Sequence, residues 1–153
     1  MKNCEVTKMV KNYDVAKDFA NGESDIDGNN MFSEGNTIYS YGHHFPIAVK
    51  VRVLGGGKVA LFNPNSYSNS TAKHKGYVES ALSNNGYKLI RVIGCNLERA
   101  EEQIETNKKE MAELTDKLTR VRSPDVEQGY KRRIKQLKED NDFLMDYALK
   151  RAI

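Results

Sequence analysis

The side chains best suited to chemistry in this sequence lie in one polar stretch, residues 67–74, and just upstream of it. The stretch reads Tyr-Ser-Asn-Ser-Thr-Ala-Lys-His, and the other two histidines, His43 and His44, precede it. Adjacent histidines on a strand point to opposite faces, so at most one of this pair can join His74. The sequence places no carboxylate where it would clearly support these histidines. Two histidines alone are too few for a metal site or an acid–base pair. We therefore expect no enzyme activity, no metal and no cofactor, and we expect His74 to be a packed, hydrogen-bonded histidine.

The same stretch begins a predicted helix over residues 71–82, and the N-terminus of a helix attracts anions. Hydroxyl and lysine side chains gather there, and they would suit a phosphate and therefore a nucleic-acid backbone. The candidate contact residues are Ser70, Thr71, Lys73 and Lys75. The alternative is that Ser68, Ser70 or Thr71 only caps the helix while both lysines are solvated. The sequence leaves both interpretations open.

Charge is segregated along the chain in a way that the net charge of +3 conceals. Residues 35–95 carry seven Lys or Arg against one acid, Glu79, whereas residues 1–34 carry seven acids against four Lys. Such asymmetry bears on partners more than on fold. The middle segment therefore predicts a basic, aromatic contact surface. Its further candidate residues are Tyr41, His43, Lys50 and Arg52.

The elements that must position these residues are predicted from periodicity. Apolar residues at helical spacing over residues 6–20 predict an N-terminal helix that ends at Asn21-Gly22. Three strands are expected in succession, and a fourth after the helix that follows residues 67–74. The predicted strands are residues 37–41, 47–53, 58–62 and 87–93. The resulting fold class is α+β, with the order α-β-β-β-α-β and an antiparallel sheet.

Residues 96–153 predict a second unit, a coiled-coil-like antiparallel helical hairpin with helices at about 96–121 and 124–151. Ser123-Pro124 interrupts the apolar seam as an N-cap followed by proline at the first helical position. The register that aligns the two seams places Asn107 opposite Asn141 within an apolar ladder. The same register predicts like-charged flanking neighbours, among them Glu110 near Asp140 and Lys117 near Arg133. The predicted domains are residues 1–95 and 96–153.

Composition narrows the class of protein. The two cysteines, Cys4 and Cys95, are far apart and have no metal-ligand spacing, which fits a reducing compartment. The N-terminal residues lack the apolar run of a signal peptide, and no segment approaches the length of a transmembrane helix. We expect a soluble cytoplasmic protein that has no membrane partner.

Residues of about 31–93 resemble a small domain that recurs in phage and mobile-element proteins. The motifs that carry the resemblance are Thr37-Ile38-Tyr39-Ser40-Tyr41-Gly42, His44-Phe45-Pro46-Ile47-Ala48 and Phe62-Asn63-x-x-x-Tyr67-Ser68-x-Ser70-Thr71-x-Lys73-His74, closed by Val78 and Ala81-Leu82. That domain has no established activity, so the resemblance implies a genomic setting and no mechanism. It covers none of the helical hairpin.

Two functions follow as hypotheses. The first is a non-enzymatic phage or mobile-element protein that antagonises a host defence nucleoprotein, as an anti-CRISPR inhibitor does. Its basic sheet surface and its hairpin would contact a host protein or nucleoprotein, and the hairpin could also form a homodimer. The second is a regulatory module that binds DNA or RNA directly through residues 35–95, with an affinity that falls steeply with salt.

Overall fold

The computed structural model describes residues 10–53, 55–66 and 68–152, with side chains through Tyr147. It confirms the α+β class. The helices are α1 (Asn12–Ala20), α2 (Asn69–Asn84), α3 (Ala100–Leu118) and α4 (Pro124–Ala152). The strands are β1 (Met31–Glu34), β2 (Thr37–Ser40), β3 (Pro46–Val51), β4 (Val59–Phe62) and β5 (Lys88–Arg91). Two short 3-10 turns, Ile93–Cys95 and Leu97–Arg99, lead into α3.

The five strands form one sheet in the order β1-β2-β3-β4-β5. Neighbouring strands are antiparallel except β4 and β5, which are parallel. The parallel pair follows from the connection, because the chain crosses over through α2 before it returns as β5. The first strand, β1, has only four residues, and it is not among the four strands that we predicted.

The sheet is buried on both faces, and β4 shows this most directly. Its four residues, Val-Ala-Leu-Phe, are all buried. Ala60 and Phe62 belong to a core cluster shared with α1 and α2, whereas Val59 and Leu61 belong to a second cluster on the opposite face. An apolar run without alternation is what a strand covered on both faces requires.

The helical hairpin of α3 and α4 covers the second face of the sheet. Ala100 and Ile104 of α3 and Leu144 of α4 pack in one cluster with Val59, Leu61, Ile90 and Val92. The hairpin and the sheet therefore share a hydrophobic core. The division into domains at residue 95 stays a prediction, because shared packing does not by itself say whether either part folds alone. Among the described helices none is long and apolar enough to span a membrane.

The predicted helix boundaries agree closely with the structure where local signals are strong. Ser68 caps α2, and its Oγ accepts a hydrogen bond from the backbone N–H of Thr71 at 3.2 Å. Pro124 is the first residue of α4, as predicted. The N-terminal helix ends where Asn21-Gly22 predicted, and Gly22 has a φ of 102°. Its predicted beginning, with Val6 and Met9, lies outside the described residues.

The register of the hairpin is confirmed by its buried amides. Asn107 Nδ2 donates a hydrogen bond to Asn141 Oδ1 at 2.9 Å, and both residues are buried. The flanking charges are better matched than we expected. Arg133 forms two hydrogen bonds to the carboxylate of Glu110, at 2.7 and 3.1 Å.

We predict that Asn107→Leu lowers the free energy of unfolding by about 1–3 kcal/mol, because it leaves the buried amides of Asn141 and Gln103 without their partner. The double variant Asn107→Leu/Asn141→Leu should recover the part of that loss that comes from Asn141, since two apolar groups replace two hydrogen-bonding groups, while Gln103 still lacks its acceptor. Urea unfolding of the two single variants and the double variant measures the coupling. Additive losses would show that the two amides do not act as a pair.

Candidate functional site

The N-terminus of α2, the predicted anion site, is largely closed by its own cap. Thr71 is 1% exposed, and its N–H and hydroxyl both lie 3.2 Å from Ser68 Oγ. Ser70 and Lys73 are exposed. Of the four residues predicted for this site, these two remain on the surface, and whether they bind an anion stays a prediction.

Lys75 is engaged within the protein. Its ammonium donates to the carbonyl oxygens of Pro64 at 3.0 Å and of Asn65 at 2.8 Å, and to Ser66 Oγ at 3.3 Å. These bonds use all three N–H donors of the side chain. Burial lowers the pKa of Lys75, and nearby Arg91 lowers it further, while Glu79 and Cys95 act in the opposite direction. Lys75 therefore holds residues 64–66 against α2.

His74 is a buried, hydrogen-bonded histidine, as predicted. It is 3% exposed, its Nδ1 lies 2.8 Å from Ser40 Oγ, and its Nε2 lies 3.3 Å from Asn12 Nδ2. The Asn12 amide is oriented by the backbone N–H of Asn30, which donates to Asn12 Oδ1 at 3.0 Å. Nε2 of His74 is therefore an acceptor and Nδ1–H a donor, which is the neutral imidazole. This network joins α1, β2 and α2.

A pH dependence of stability follows from this network. Burial, with a smaller contribution from Lys73, lowers the pKa of His74 below its ordinary value of 6.5. The unfolded chain then binds a proton more readily than the folded chain, so stability is fully present above pH 6.5 and falls as the pH drops through that value. Urea unfolding between pH 5 and pH 8 should show that His74→Gln flattens this dependence.

His43→Gln is the comparison variant, because His43 is exposed and bonds Glu34 outside the network of His74. If both variants changed the pH profile equally, the buried network around His74 would not be its source.

Tyr41 and His43 lie on different sides of the sheet. Tyr41 is 52% exposed, has a φ of 65°, and places its ring 5.4 Å from the ring of His74. A tyrosine in the left-handed region is uncommon and marks a constrained turn. His43 instead lies against Phe32 and Tyr39 and bonds Glu34 at 2.7 Å. The two histidines therefore do not form one site.

The basic face predicted for β3 is divided between the interior and the surface. Lys50 donates to the backbone carbonyl of Phe19 at the end of α1, and its ammonium lies 4.2 Å from the centre of the Phe19 ring. Burial is the main reason that the pKa of Lys50 is lowered, and Lys58 adds to the effect. Arg52, two residues on, is exposed. Lys50 therefore fixes α1 on the sheet, and Arg52 is the cation of this pair that faces outward.

A polar recess that we did not predict from the sequence is lined by Arg91, a residue of the edge strand β5. The recess has a volume of about 370 Å³ and lies between residues 64–65, β5 and the two hairpin helices. Two neighbouring recesses of about 350 and 360 Å³ also have Arg91 in their walls. Arg91 donates to Glu79 at 2.7 Å and lies over the ring of Phe62. The recess forms only where β5 and both hairpin helices meet in the folded chain. No short sequence motif could therefore have predicted it.

Two buried oxygens in the wall of this recess have no hydrogen-bond partner, Gln103 Oε1 and Asp140 Oδ2. Burial raises the pKa of Asp140 to about 6, although Arg91, Arg133 and Lys88 oppose the shift. By contrast, burial raises the pKa of the Cys95 thiol to about 12, which makes it a poor nucleophile. In the described part of the chain, no three His, Cys, Asp or Glu side chains are grouped to hold a metal ion.

No protein-family model, curated protein or solved structure matches this chain. The resemblance of residues 31–93 to a phage and mobile-element domain therefore stays a prediction. The candidate sites rest on the geometry of this chain alone.

Proposed function

We propose that this protein binds an acidic macromolecular surface and acts by occupying it, without catalysis. The observation that carries the proposal is the outer face of α4. Between Gln128 and Lys138 the exposed side chains of this helix are those of Gln128 and four cations, with no acid among them. The four cations are Lys131, Arg132, Lys135 and Lys138.

These cations are arranged as one surface because of the helical period. Lys131, Lys135 and Lys138 follow each other at spacings of four and three, so they lie on one side of α4 with Arg132 beside them. Among the four, Lys131 has an ion pair, with Glu127 at 3.4 Å. Residues 96–153 contain as many acidic as basic residues. The basic patch is therefore recognised only when the burial of each side chain of α4 is known.

The internal roles of Lys50 and Lys75 also favour a surface on the hairpin. Both ammonium groups donate to backbone carbonyls within the protein. A contact that uses the predicted basic segment would therefore depend on Ser70, Lys73 and Arg52, which are exposed. The hairpin and α2 cover opposite faces of the sheet, so the cations of α4 form a basic surface of their own.

The most concrete form of the proposal is an antagonist of a host defence nucleoprotein, comparable to an anti-CRISPR inhibitor, in a phage or mobile-element setting. The sequence resemblance supports the setting, and the basic face of α4 supports an acidic partner. Such a protein would act in the cytoplasm of the host bacterium. The alternative is that the protein binds DNA or RNA directly. A third possible partner is the hairpin of a second copy of this chain.

A pull-down from bacterial lysate with and without nuclease tests the proposal. Arg132→Glu/Lys135→Glu should reduce capture of the partner at least tenfold. Lys108→Glu/Lys109→Glu is the matched control, since it makes the same charge change at exposed positions of α3. Capture that survives nuclease and depends on α4 would support a protein or nucleoprotein partner. Equal capture by both double variants, or none by the wild type, would contradict the proposal.

The alternatives are separated by two further measurements. Direct nucleic-acid binding predicts that affinity for bare DNA or RNA falls steeply with salt, and that the α4 double variant lowers the slope of log K against log salt by about 2. Light scattering of the wild type measures whether two copies associate.

A further inference from the structure

A second stripe of side chains, the outer stripe, runs along α4 on the side away from the buried seam. Its members follow each other at alternating spacings of three and four residues, and all of them are exposed. The outer stripe consists of Gln128, Lys131, Lys135, Lys138, Asp142 and Met145. Contacts with α3 and the sheet bury the side of α4 that carries Leu137, Asn141 and Leu144. A period of 3.5 residues keeps a stripe directed at one neighbouring helix, as in a coiled coil, and here that helix would belong to another molecule.

The charge of the outer stripe reverses along the helix. Its first half is basic, and its second half has the carboxylate of Asp142 followed by Met145, which is 41% exposed. In the part of the chain that the structure describes, the ion pairs of α4 involve neither Lys135, Lys138 nor Asp142. A stripe that is basic at one end and acidic at the other is complementary to a second copy of itself turned end to end.

One antiparallel register satisfies these charges. It places Lys138 opposite Asp142 of the second copy, and it places Lys135 opposite Met145, where the aliphatic part of the lysine can cover the apolar side chain. Because the arrangement has two-fold symmetry, each of these contacts forms twice. A shift by one heptad in one direction opposes Lys135 to Lys138, and the opposite shift separates Lys138 from Asp142. A parallel alignment opposes each lysine to its own copy.

The length and polarity of the outer stripe determine how strong such a contact can be. The stripe spans about 25 Å of helix. Exposed ion pairs contribute little each, because water and salt screen them. A contact along one side of one helix therefore belongs with weak, transient interfaces and not with those of obligate dimers.

We propose that two copies of this chain associate weakly through the outer stripes of α4, antiparallel and about a two-fold axis between Lys138 and Asp142. The contact rests on cations of the same face as the proposed function, and it adds Asp142 and Met145. A second copy bound in this way covers Lys135 and Lys138. Self-association and capture of an acidic partner therefore exclude each other.

Sedimentation of the full chain over a range of concentrations tests the proposal. The average mass of the wild type should rise with concentration at about 0.05 M salt and much less at about 1 M, where the Debye length is about 3 Å. Lys138→Asp and Asp142→Lys each place like charges opposite one another in both symmetric pairs. Each should weaken self-association at least tenfold. An equimolar mixture of the two variants should associate as the wild type does, because each supplies the charge that the other lacks.

Lys109→Asp is the matched control, because it makes the same charge change at an exposed position of α3, and it should leave self-association unchanged. Circular dichroism establishes that each variant is folded. A wild type that remains monomeric at every concentration would overturn the proposal. Normal association of either single variant, or a mixture that does not recover association, would overturn it as well.

These outcomes are independent of the proposed function, because capture from lysate is measured separately with Arg132→Glu/Lys135→Glu. A monomeric chain that still captures its partner through α4 would contradict only the antiparallel contact. Association that recovers in the mixture, without capture of a partner, would contradict only the proposed function.

Discussion

A chain that ends at Cys95, and so lacks the helical hairpin, is expected to lose cooperative folding and to aggregate. Removal of α3 and α4 uncovers the side of β4 and β5 that packs against the hairpin. Four residues of that side are buried by the hairpin cluster: Val59, Leu61, Ile90 and Val92. Full burial of such side chains contributes about 1.5–3 kcal/mol each, so their exposure removes an amount comparable with the total stability of about 5–15 kcal/mol.

A point substitution in the intact chain tests the same contact without truncation. Leu144 of α4 is 0% exposed and packs in this cluster, so Leu144→Ala should lower the free energy of unfolding by about 2–5 kcal/mol. Its neighbour Met145 is 41% exposed, and Met145→Ala is the matched control, with an expected effect within about 0.5 kcal/mol.

Urea unfolding and light scattering measure both effects. A soluble, cooperatively folding chain of residues 1–95 would show that the hairpin is dispensable for the sheet, and it would support the predicted division into two domains. Aggregation of that chain, together with a large loss in Leu144→Ala, would show one shared folding unit.

Asp140→Asn is expected to stabilise the protein at pH 7. Burial raises the pKa of Asp140 from 3.8 to about 6, so the carboxyl is ionised in the folded protein at neutral pH at a cost. A shift of this size corresponds to about 3 kcal/mol. We expect a gain of about 1–3 kcal/mol, because the amide is neutral but loses the attraction of the carboxylate to Arg91 and Arg133.

The sign of the pH dependence follows from the raised pKa. The folded chain binds a proton at Asp140 more readily than the unfolded chain, so the contribution of this group to stability is fully present below pH 3.8 and is lost as the pH rises through about 6. Asp140→Asn should therefore gain stability over the wild type mainly as the pH rises from 4 to 7. His74 has the opposite dependence, so each group is measured as the difference between wild type and variant.

Asp142→Asn is the matched control for Asp140→Asn, since it removes an exposed carboxylate from the same helix. It should change the unfolding free energy little and leave the pH profile in place. A variant Asp140→Asn that is less stable than the wild type at pH 7 would show that the carboxylate makes a net favourable interaction there.

The sequence alone determined the features that depend on neighbours within a few residues. The seven-residue repeat of apolar side chains predicted the hairpin and placed Asn107 opposite Asn141, where the structure has a hydrogen bond of 2.9 Å. Ser123-Pro124 located the beginning of α4, and apolar helical spacing located His74 in the core. These signals are local, because helix caps and helical periods involve residues only three or four positions apart.

Only the tertiary structure decided how the basic segment is used. Net charge cannot show that Lys50 and Lys75 direct their ammonium groups to backbone carbonyls. Those carbonyls belong to the end of α1 and to the loop after β4. The residues next to either lysine in the sequence do not predict that it bonds them. The cations left on the surface, including those on the outer face of α4, were therefore visible only once burial was known.

The recess around Arg91 is the clearest case of a site that the sequence did not determine. Its walls join Arg91 of β5, Gln103 of α3 and Asp140 of α4. Their proximity depends on the parallel pairing of β5 with β4 and on the face of the sheet that the hairpin covers. Neither follows from local periodicity, because each is the outcome of burying apolar surface across the whole chain.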